Sequence, residues 1–120
     1  MDRDNPSYVR GGVGVRAIRY LTERLNVSHT LRSISSALGT NRNTLCKEFK
    51  VETGTSVKQW LNEMRLQKAA HLLYSTNLSI IEISFEVGYQ DPANFATAFK
   101  KYHKCTPRKY RKSRLKITRG

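Results

Sequence analysis

The sequence nearly repeats itself, and this repeat constrains the fold more than any other feature. The first copy contains, in order, Ile34-Ser35, Gly39, Leu45, Phe49-Lys50, Ser56-Val57 and Trp60. The second copy contains Ile83-Ser84, Gly88, Phe95, Phe99-Lys100, Thr106-Pro107 and Tyr110. The two copies lie 49 residues apart up to the glycine and 50 residues apart after it, so one residue has been inserted in the turn. Such self-similarity indicates one supersecondary unit built twice, and each copy is typical of a helix, a glycine turn and a second helix.

The charge of the chain points to a polyanionic partner. A chain of 120 residues carries 22 Lys and Arg against 9 Asp and Glu, a formal net charge of +13. The excess is concentrated at one end, because residues 100–120 include ten Lys or Arg and no acid. Such a block favours phosphate binding, since each neutralised phosphate releases condensed counterions. The alternative for the last residues is a solvated tail that only improves solubility.

Several classes of protein are not indicated by the sequence. Cys46 and Cys105 are far apart and read as free thiols, and the three histidines show no metal-ligand spacing, so we expect no metal and no cofactor. No nucleophile–base pair or phosphate loop is visible, so we expect no enzyme activity. The charged start of the chain is unlike a signal peptide, and no apolar run reaches the roughly 18 residues of a membrane helix. We therefore expect a cytoplasmic, nucleoid-associated protein.

The apolar periodicity predicts an all-α fold. The expected divisions are a flexible leader at 1–14, a folded domain at 15–112 and a basic tail at 113–120. Within the domain we expect a first helix from about Val15 to Leu25, a first helix-turn-helix at about 30–54, a linker helix at about 56–74 and a second helix-turn-helix at about 79–104. Predicted helix caps are Thr30, Asn41, Ser56, Ser79 with Glu82, and Asp91 followed by Pro92. The inner stripe of the last helix of the second pair is expected to contain Phe95, Phe99 and Tyr102.

The second helix of each pair presents polar side chains away from its apolar face. With Leu45 and Phe49 turned inward, a rotation of 100° per residue places Asn43 and Lys47 almost opposite, with Lys50 nearby and Arg42 and Cys46 on the flanks. In the second copy the outward residues are Ala93, Thr97, Lys100 and Lys104, with Asn94 on one flank. A major groove admits one such helix.

The linker helix fits a protein that reads two grooves as a monomer. About eighteen helical residues span roughly 27 Å, which with the packing radii at both ends holds two reading helices about 34 Å apart, one turn of B-DNA. An asymmetric site of two segments would then suffice. Basic residues near the second reading helix would clamp phosphates, which position the protein without reading sequence. These residues are Arg108, Lys109, Arg111 and Lys112.

The two copies together resemble the DNA-binding domain of the AraC/XylS family of bacterial transcription regulators. The family's signature region matches Ile83-x-x-x-x-Gly88-Tyr89-x-x-x-x-x-Phe95-x-x-x-Phe99-Lys100-Lys101-Tyr102-x-x-x-Thr106-Pro107-x-x-Tyr110-Arg111. The resemblance covers about 80 of the 120 residues. It implies a seven-helix domain, binding to promoter DNA as a monomer or dimer, and activation through contact with RNA polymerase.

Carried over by position, the resemblance implies contacts to the bases and to the DNA backbone. The base-contacting residues would be Arg42, Asn43, Cys46, Lys47, Pro92, Ala93, Asn94 and Thr97. The phosphate-contacting residues would be Lys50, Lys100, Lys101, Lys104, Arg108, Lys109, Arg111 and Lys112. Thr97 stands where the family often has Arg, and Ala93 offers only a methyl group. We therefore expect the first unit to carry most of the sequence specificity.

Two alternatives stay open at this point. The chain could bind nucleic acid by charge alone, as a nucleoid or RNA-binding protein. It could also be a DNA-binding module that delivers a separate sensor or enzymatic domain. The glycines of the leader suit a cut linker to an N-terminal sensor and dimerisation domain, whereas Met1 suits a small stand-alone regulator. The target promoter, any effector and the choice between activation and repression are likewise open.

Overall fold

The computed structural model describes the backbone of residues 12–119 and the side chains up to Ser113. Over this range the chain forms seven helices and no β-strand, which agrees with the predicted all-α class. In chain order they are α1 (Val13–Thr22), α2 (Leu31–Ala37), α3 (Arg42–Thr53), α4 (Val57–Ser75), α5 (Ile80–Glu86), α6 (Pro92–His103) and α7 (Pro107–Arg119).

Two predicted boundaries need correction. Helix α1 begins at Val13 and ends at Thr22, earlier at both ends than expected. Its early start lies against α3, where buried Gly14 packs on Glu48. The predicted flexible leader therefore does not extend to residue 14, and residues 1–11 lie outside the described range. Helix α7 runs on to Arg119, so the boundary predicted between 112 and 113 falls inside a helix. No glycine or proline interrupts residues 113–119, so no residue there stops the helix.

The chain divides into two compact units, and the division falls inside α4, between Asn62 and Glu63. The first turns of α4 bury Val57, Trp60 and Leu61 in the first unit. The remaining turns bury a separate apolar group in the second unit, which includes Leu66 and Leu73. Helix α4 therefore contributes one apolar group to each unit.

In each unit, aromatic residues of the second helix of the pair fill the core. Phe49 of α3 is fully buried and meets Trp60 edge to face, with ring centroids 5.6 Å apart. Trp60 is therefore a core residue. In the second unit Phe95 and Phe99 of α6 are fully buried, and Phe99 meets Tyr110 edge to face at 5.6 Å. Rings in this arrangement add to the free energy gained from area burial alone.

The two units repeat the same turn chemistry. Thr30 with Ser33 and Ser79 with Glu82 form reciprocal capping boxes at the starts of α2 and α5. Each of these helices then ends at a glycine with positive φ, +70° at Gly39 and +109° at Gly88, a conformation open mainly to glycine. Four residues, 38–41, separate α2 from α3, whereas five residues, 87–91, separate α5 from α6. The inserted residue therefore lies in the second turn, as the sequence predicts.

Candidate nucleic-acid interface

Helix α3 displays its predicted reading residues to solvent. Leu45 and Phe49 are fully buried, and the opposite face exposes five side chains: Arg42, Asn43, Cys46, Lys47 and Lys50. The helix starts at Asn41, whose Oδ1 accepts a hydrogen bond from the N–H of Thr44 at 2.9 Å. Among the described residues, none of the cations on this face forms an ion pair with a carboxylate. The face therefore presents uncompensated donors, as base edges and phosphates require.

Helix α1 holds α3 from behind, and the contact uses a carboxylate. Oε1 of Glu48 accepts a hydrogen bond from the N–H of Val13 at 3.1 Å and so caps the start of α1. The approach is close, because a Cβ added at Gly14 would lie only 2.6 Å from the carbonyl oxygen of Glu48 and 2.8 Å from Cγ of Glu52. Both acids of α3 thus lie toward α1, on the side away from the cations. The sequence gives no signal for this contact, because it joins residues 35 positions apart.

The start of α3 borders an open depression of about 580 Å³. Its lining residues are Arg32, Ser35, Asn41, Arg42 and Asn43. Two guanidinium groups therefore lie beside the N-terminus of a helix, where backbone N–H groups and the helix dipole favour an anion. The arrangement is suited to an anion such as a phosphate.

Helix α6 is presented in the same way but carries different chemistry. Oδ1 of Asp91 accepts a hydrogen bond from the N–H of Ala93 at 2.9 Å, and Pro92 occupies the first turn. Ala93, Asn94 and Thr97 are exposed, and Pro92 is half-buried. The hydroxyl of Thr97 donates back to the carbonyl oxygen of Ala93 at 3.1 Å. Of the four predicted base-contacting residues, only Asn94 has a side-chain donor that no recorded bond occupies.

Most of the predicted phosphate-binding cations of the second unit are exposed. These are Lys100, Lys101, Lys104, Arg108, Lys109 and Lys112. Lys104 differs from expectation, because it does not continue the outward face of α6. It follows the last residue of that helix with φ +68°, in the left-handed conformation that Gly54 adopts in the first unit.

Arg111 has a role that the sequence analysis missed. Its Nε donates to the carbonyl oxygen of Leu73 at 3.1 Å, and its two terminal nitrogens donate to those of Leu78 at 2.6 Å and Thr76 at 3.1 Å. These carbonyls belong to the end of α4 and to the segment that connects it to α5. The guanidinium is therefore occupied inside the second unit, which disfavours the phosphate contact that the sequence analysis expects.

Tyr102 departs from the predicted inner stripe of α6, and His103 extends that stripe. Tyr102 is 38% exposed, and its hydroxyl accepts a hydrogen bond from Nε2 of Gln67 at 3.0 Å, so it lies at the edge of the core instead of within it. His103 packs on Phe99 with centroids 4.3 Å apart, and its Nε2 lies 3.0 Å from the carbonyl oxygen of Leu66. Both residues attach the end of α6 to α4, within the second unit.

Two groups of the second helix pair, Glu82 and Tyr89, have shifted pKa values. The backbone N–H of Ser79 and then its hydroxyl bond to the Glu82 carboxylate, and these bonds hold the pKa of Glu82 below its usual value of 4.5. Burial raises the pKa of Tyr89, and nearby Arg65 opposes part of that rise. Within residues 12–119 no three His, Cys, Asp or Glu side chains come together in a metal-binding group. None of the helices described has the length and apolar character to cross a bilayer.

A family model described as a helix-turn-helix domain matches residues 34–113, which span both helix pairs. The chain belongs to the AraC/XylS family of helix-turn-helix regulators. The raffinose operon transcriptional regulatory protein RafR of Pediococcus pentosaceus is 35% identical over 97 residues, which cover 81% of this chain and 35% of RafR. As in these relatives, the matched region is a regulator's DNA-binding domain and not an enzyme.

Solved structures of AraC/XylS domains share the fold. The C-terminal domain of AraT, a response regulator from Geobacillus stearothermophilus, is 36% identical, with a TM-score of 0.82 over 86% of both chains. The DNA-binding domain of AdpA, a global transcriptional factor solved in complex with a target DNA, has the same TM-score of 0.82 at 22% identity over 88% of this chain and 96% of its own. This second likeness concerns the fold alone.

The AraC/XylS domain makes up only part of its relatives. The chain spans between a quarter and about a third of the length of three curated relatives, RafR, the xylose operon regulatory protein of Escherichia coli and the Msm operon regulatory protein of Streptococcus mutans.

Proposed function

We propose that this AraC/XylS domain binds double-stranded promoter DNA and inserts α3 and α6 into successive major grooves on one face of the duplex. The observation that carries the proposal is the display of α3. Arg42, Asn43 and Lys47 project from a helix that is capped by Asn41 and held from behind by α1. Side chains of these types read base edges through hydrogen bonds.

The length of α4 supports the proposed spacing of the two reading helices. Its 19 residues at about 1.5 Å each give a rod of about 28 Å. With the packing radius of a helix at each end, this length matches the 34 Å or so of one turn of B-DNA. A single chain would then read an asymmetric site, without the palindrome that a symmetric dimer needs.

The proposal divides base reading unequally between the two units. Arg42, Asn43, Cys46 and Lys47 would contact bases in the first segment, and Pro92, Ala93, Asn94 and Thr97 in the second. The first unit would supply most of the hydrogen-bonded discrimination, because its side chains have free donors. Backbone contacts from Lys50, Lys100, Lys101, Lys104, Arg108, Lys109 and Lys112 would fix the register.

Selection of bound sequences from a random duplex library tests the proposal. We expect a two-segment consensus with segment centres about one helical turn apart. Each segment is then scrambled separately, and affinity is measured at one fixed salt concentration. Scrambling the first segment should weaken binding more than scrambling the second. Equal losses would contradict the proposed division between the units.

A charge-driven nucleoid protein or RNA-binding protein is the competing function. Binding by charge alone gives nearly the same affinity for the selected site and for random duplex, whereas specific binding is typically at least about a thousandfold tighter at physiological salt. The substitution Asn43→Ala separates the two. It should lower affinity for the selected site, leave affinity for random duplex unaltered and keep the salt dependence of both, because Asn carries no charge.

We further propose that the domain activates transcription through contact with RNA polymerase. Ile81 and Phe85 of α5 are 57% and 50% exposed, on the face opposite to buried Ile83. The corresponding positions of α2 are polar, Arg32 and Ser36. An exposed apolar pair beside acidic Glu86 is suited to a protein partner rather than to DNA.

The substitution Phe85→Ser tests the polymerase contact. It should reduce activated transcription in a reconstituted assay and preserve the affinity for promoter DNA measured in parallel. A matched substitution at the equivalent position of the first unit, Ser36→Ala, should alter neither quantity. If Phe85→Ser retains full activation, the proposed contact is wrong.

The remaining assignments follow from the ligand. Because chromosomal DNA is the target, we place the protein in the bacterial cytoplasm, associated with the nucleoid. We propose that this chain binds as a monomer, and that any dimerisation or effector sensing belongs to a domain outside these residues. Analytical ultracentrifugation of the chain with the selected duplex measures the stoichiometry, and we expect one chain per duplex.

A further inference from the structure

The internal repeat allows the two reading helices to be compared position by position. Because Leu45 corresponds to Phe95, each position of α3 has its counterpart 50 residues later in α6. We call the four outward positions of the first turns the reading positions. In α3 they hold Arg42, Asn43, Cys46 and Lys47, and in α6 they hold Pro92, Ala93, Ala96 and Thr97. Three of the four in α6 lack any side-chain hydrogen-bond donor or acceptor.

The fourth reading position of α6 holds a polar residue, Thr97, whose hydroxyl already donates a hydrogen bond within the helix. Thr97 lies almost directly opposite the buried pair Phe95 and Phe99, at the centre of the exposed face. Its hydroxyl proton is directed to the carbonyl oxygen of Ala93 at 3.1 Å. While this bond holds, the hydroxyl can accept but cannot donate, and the γ-methyl is exposed together with the methyl of Ala93.

Resting on the function proposed above, we infer that α6 reads the 5-methyl groups of thymine, with Thr97 as the main specificity-determining residue and Ala93 in support. Among the four bases, thymine alone carries a methyl group at the major-groove edge, and apolar side chains discriminate it there by contact. At its reading positions the second unit therefore reads sequence by apolar contact, with Asn94 as a polar residue on their flank, whereas the first unit reads sequence mainly by hydrogen bonds. The cations around α6 supply the affinity that this weaker readout lacks.

The expected effect per methyl is modest and measurable. Burying one methyl-sized group contributes affinity of about fourfold. Replacement of thymine by deoxyuridine removes this methyl and leaves every base-pairing group in place. In the segment bound by the second unit, we expect about a fourfold loss for each thymine contacted. In the segment bound by the first unit, the same replacement should have less than a twofold effect.

Combining a substitution at Thr97 with the replacement of thymine by uracil identifies the side chain that contacts the methyl group. Thr97→Ser keeps the hydroxyl and its bond to Ala93 and removes only the γ-methyl. Its affinity for the thymine site should therefore be about fourfold lower than that of the parent chain, and its affinity for the uracil site should equal that of the parent chain. Thr97→Val keeps a methyl and removes the hydroxyl, so it should retain the fourfold preference for thymine over uracil. Thr53→Ser is the control. Its hydroxyl also donates to the carbonyl four residues earlier, that of Phe49 at 2.8 Å, but Thr53 is the last residue of α3 and its hydroxyl also bonds to Thr55.

Each outcome bears on a different statement. Loss of the thymine preference in Thr97→Ser, with thermal stability equal to that of the control, supports the inference. An equal response of Thr97→Ser and the parent chain to uracil overturns it, as does a site with no sensitivity to uracil. Loss of the thymine preference in Thr97→Val would show that the hydroxyl does the reading, which also overturns it. Failure to select any consensus would instead refute the proposed function.

Discussion

The occupied guanidinium of Arg111 leads to a prediction that separates stability from DNA binding. The substitution Arg111→Met keeps most of the apolar stem and removes all three bonds to the carbonyls of Leu73, Thr76 and Leu78. A family-based reading would instead treat this residue as one more phosphate contact. The two roles predict opposite results for two different measurements.

The size of the effect on stability can be estimated from the three bonds. A hydrogen bond with a charged partner contributes about 1.5–3 kcal/mol. The losses do not add fully, because the carbonyls share one partner and can bind water once the side chain is shortened. We therefore expect the free energy of unfolding to fall by about 2–4 kcal/mol. With a urea m-value of about 1.5 kcal/mol/M, the midpoint should move down by about 1.3–2.7 M.

Urea titration followed by circular dichroism at 222 nm measures this shift, and the neighbouring exposed residue gives the control. Lys112→Met removes the same charge, and we expect a change within about 0.5 kcal/mol. For DNA binding the order reverses. Lys112→Met should reduce the slope of log K against log salt by about 0.9, whereas Arg111→Met should leave that slope as it is.

A stable Arg111→Met variant with a reduced salt slope would refute this reasoning. It would mean that the guanidinium leaves its carbonyls and contacts phosphate when DNA is bound. Arg111→Lys adds a second check, because an ammonium is a compact donor that cannot copy the planar fork. Arg111→Lys therefore restores the positive charge but should not restore the midpoint of urea unfolding.

Three further predictions concern other positions. Lys104→Gly should stabilise the protein by about 1 kcal/mol, since glycine has no penalty at φ +68°, yet it should reduce the salt slope of DNA binding; a loss of stability would contradict this. Gly14→Ala should destabilise it by about 1–3 kcal/mol in urea titration, because the new Cβ meets the Glu48 carbonyl, and a neutral result would contradict the close contact. The pKa of Glu82 is lowered in the folded chain. The contribution of its carboxylate to the free energy of unfolding is therefore present above pH 4.5 and is lost as pH falls below that value. Glu82→Gln should therefore reduce the dependence of the melting temperature on pH in this acidic range, and an unaltered dependence would contradict the capping role.

The local pattern of the chain was enough to predict the paired helices. Caps such as Asn41 and Asp91, and glycines such as Gly39 and Gly88, act on backbone groups within a few residues, so their effect can be read from spacing. The apolar residues recur at helical intervals and identify which face of α3 and α6 is buried. For the same reason the exposed reading residues, from Arg42 to Thr97, could be named before any coordinates were known.

Contacts between distant residues were decided only by the tertiary structure. Glu48 caps α1 across 35 positions, and Arg111 reaches carbonyls at least 33 positions away. No periodicity encodes such pairs, because their partners are backbone groups that look the same in every residue. The hydroxyl of Thr97 shows the same limit over a short range. Its sequence position predicts exposure, but only the folded helix determines that its proton goes to Ala93 instead of to DNA.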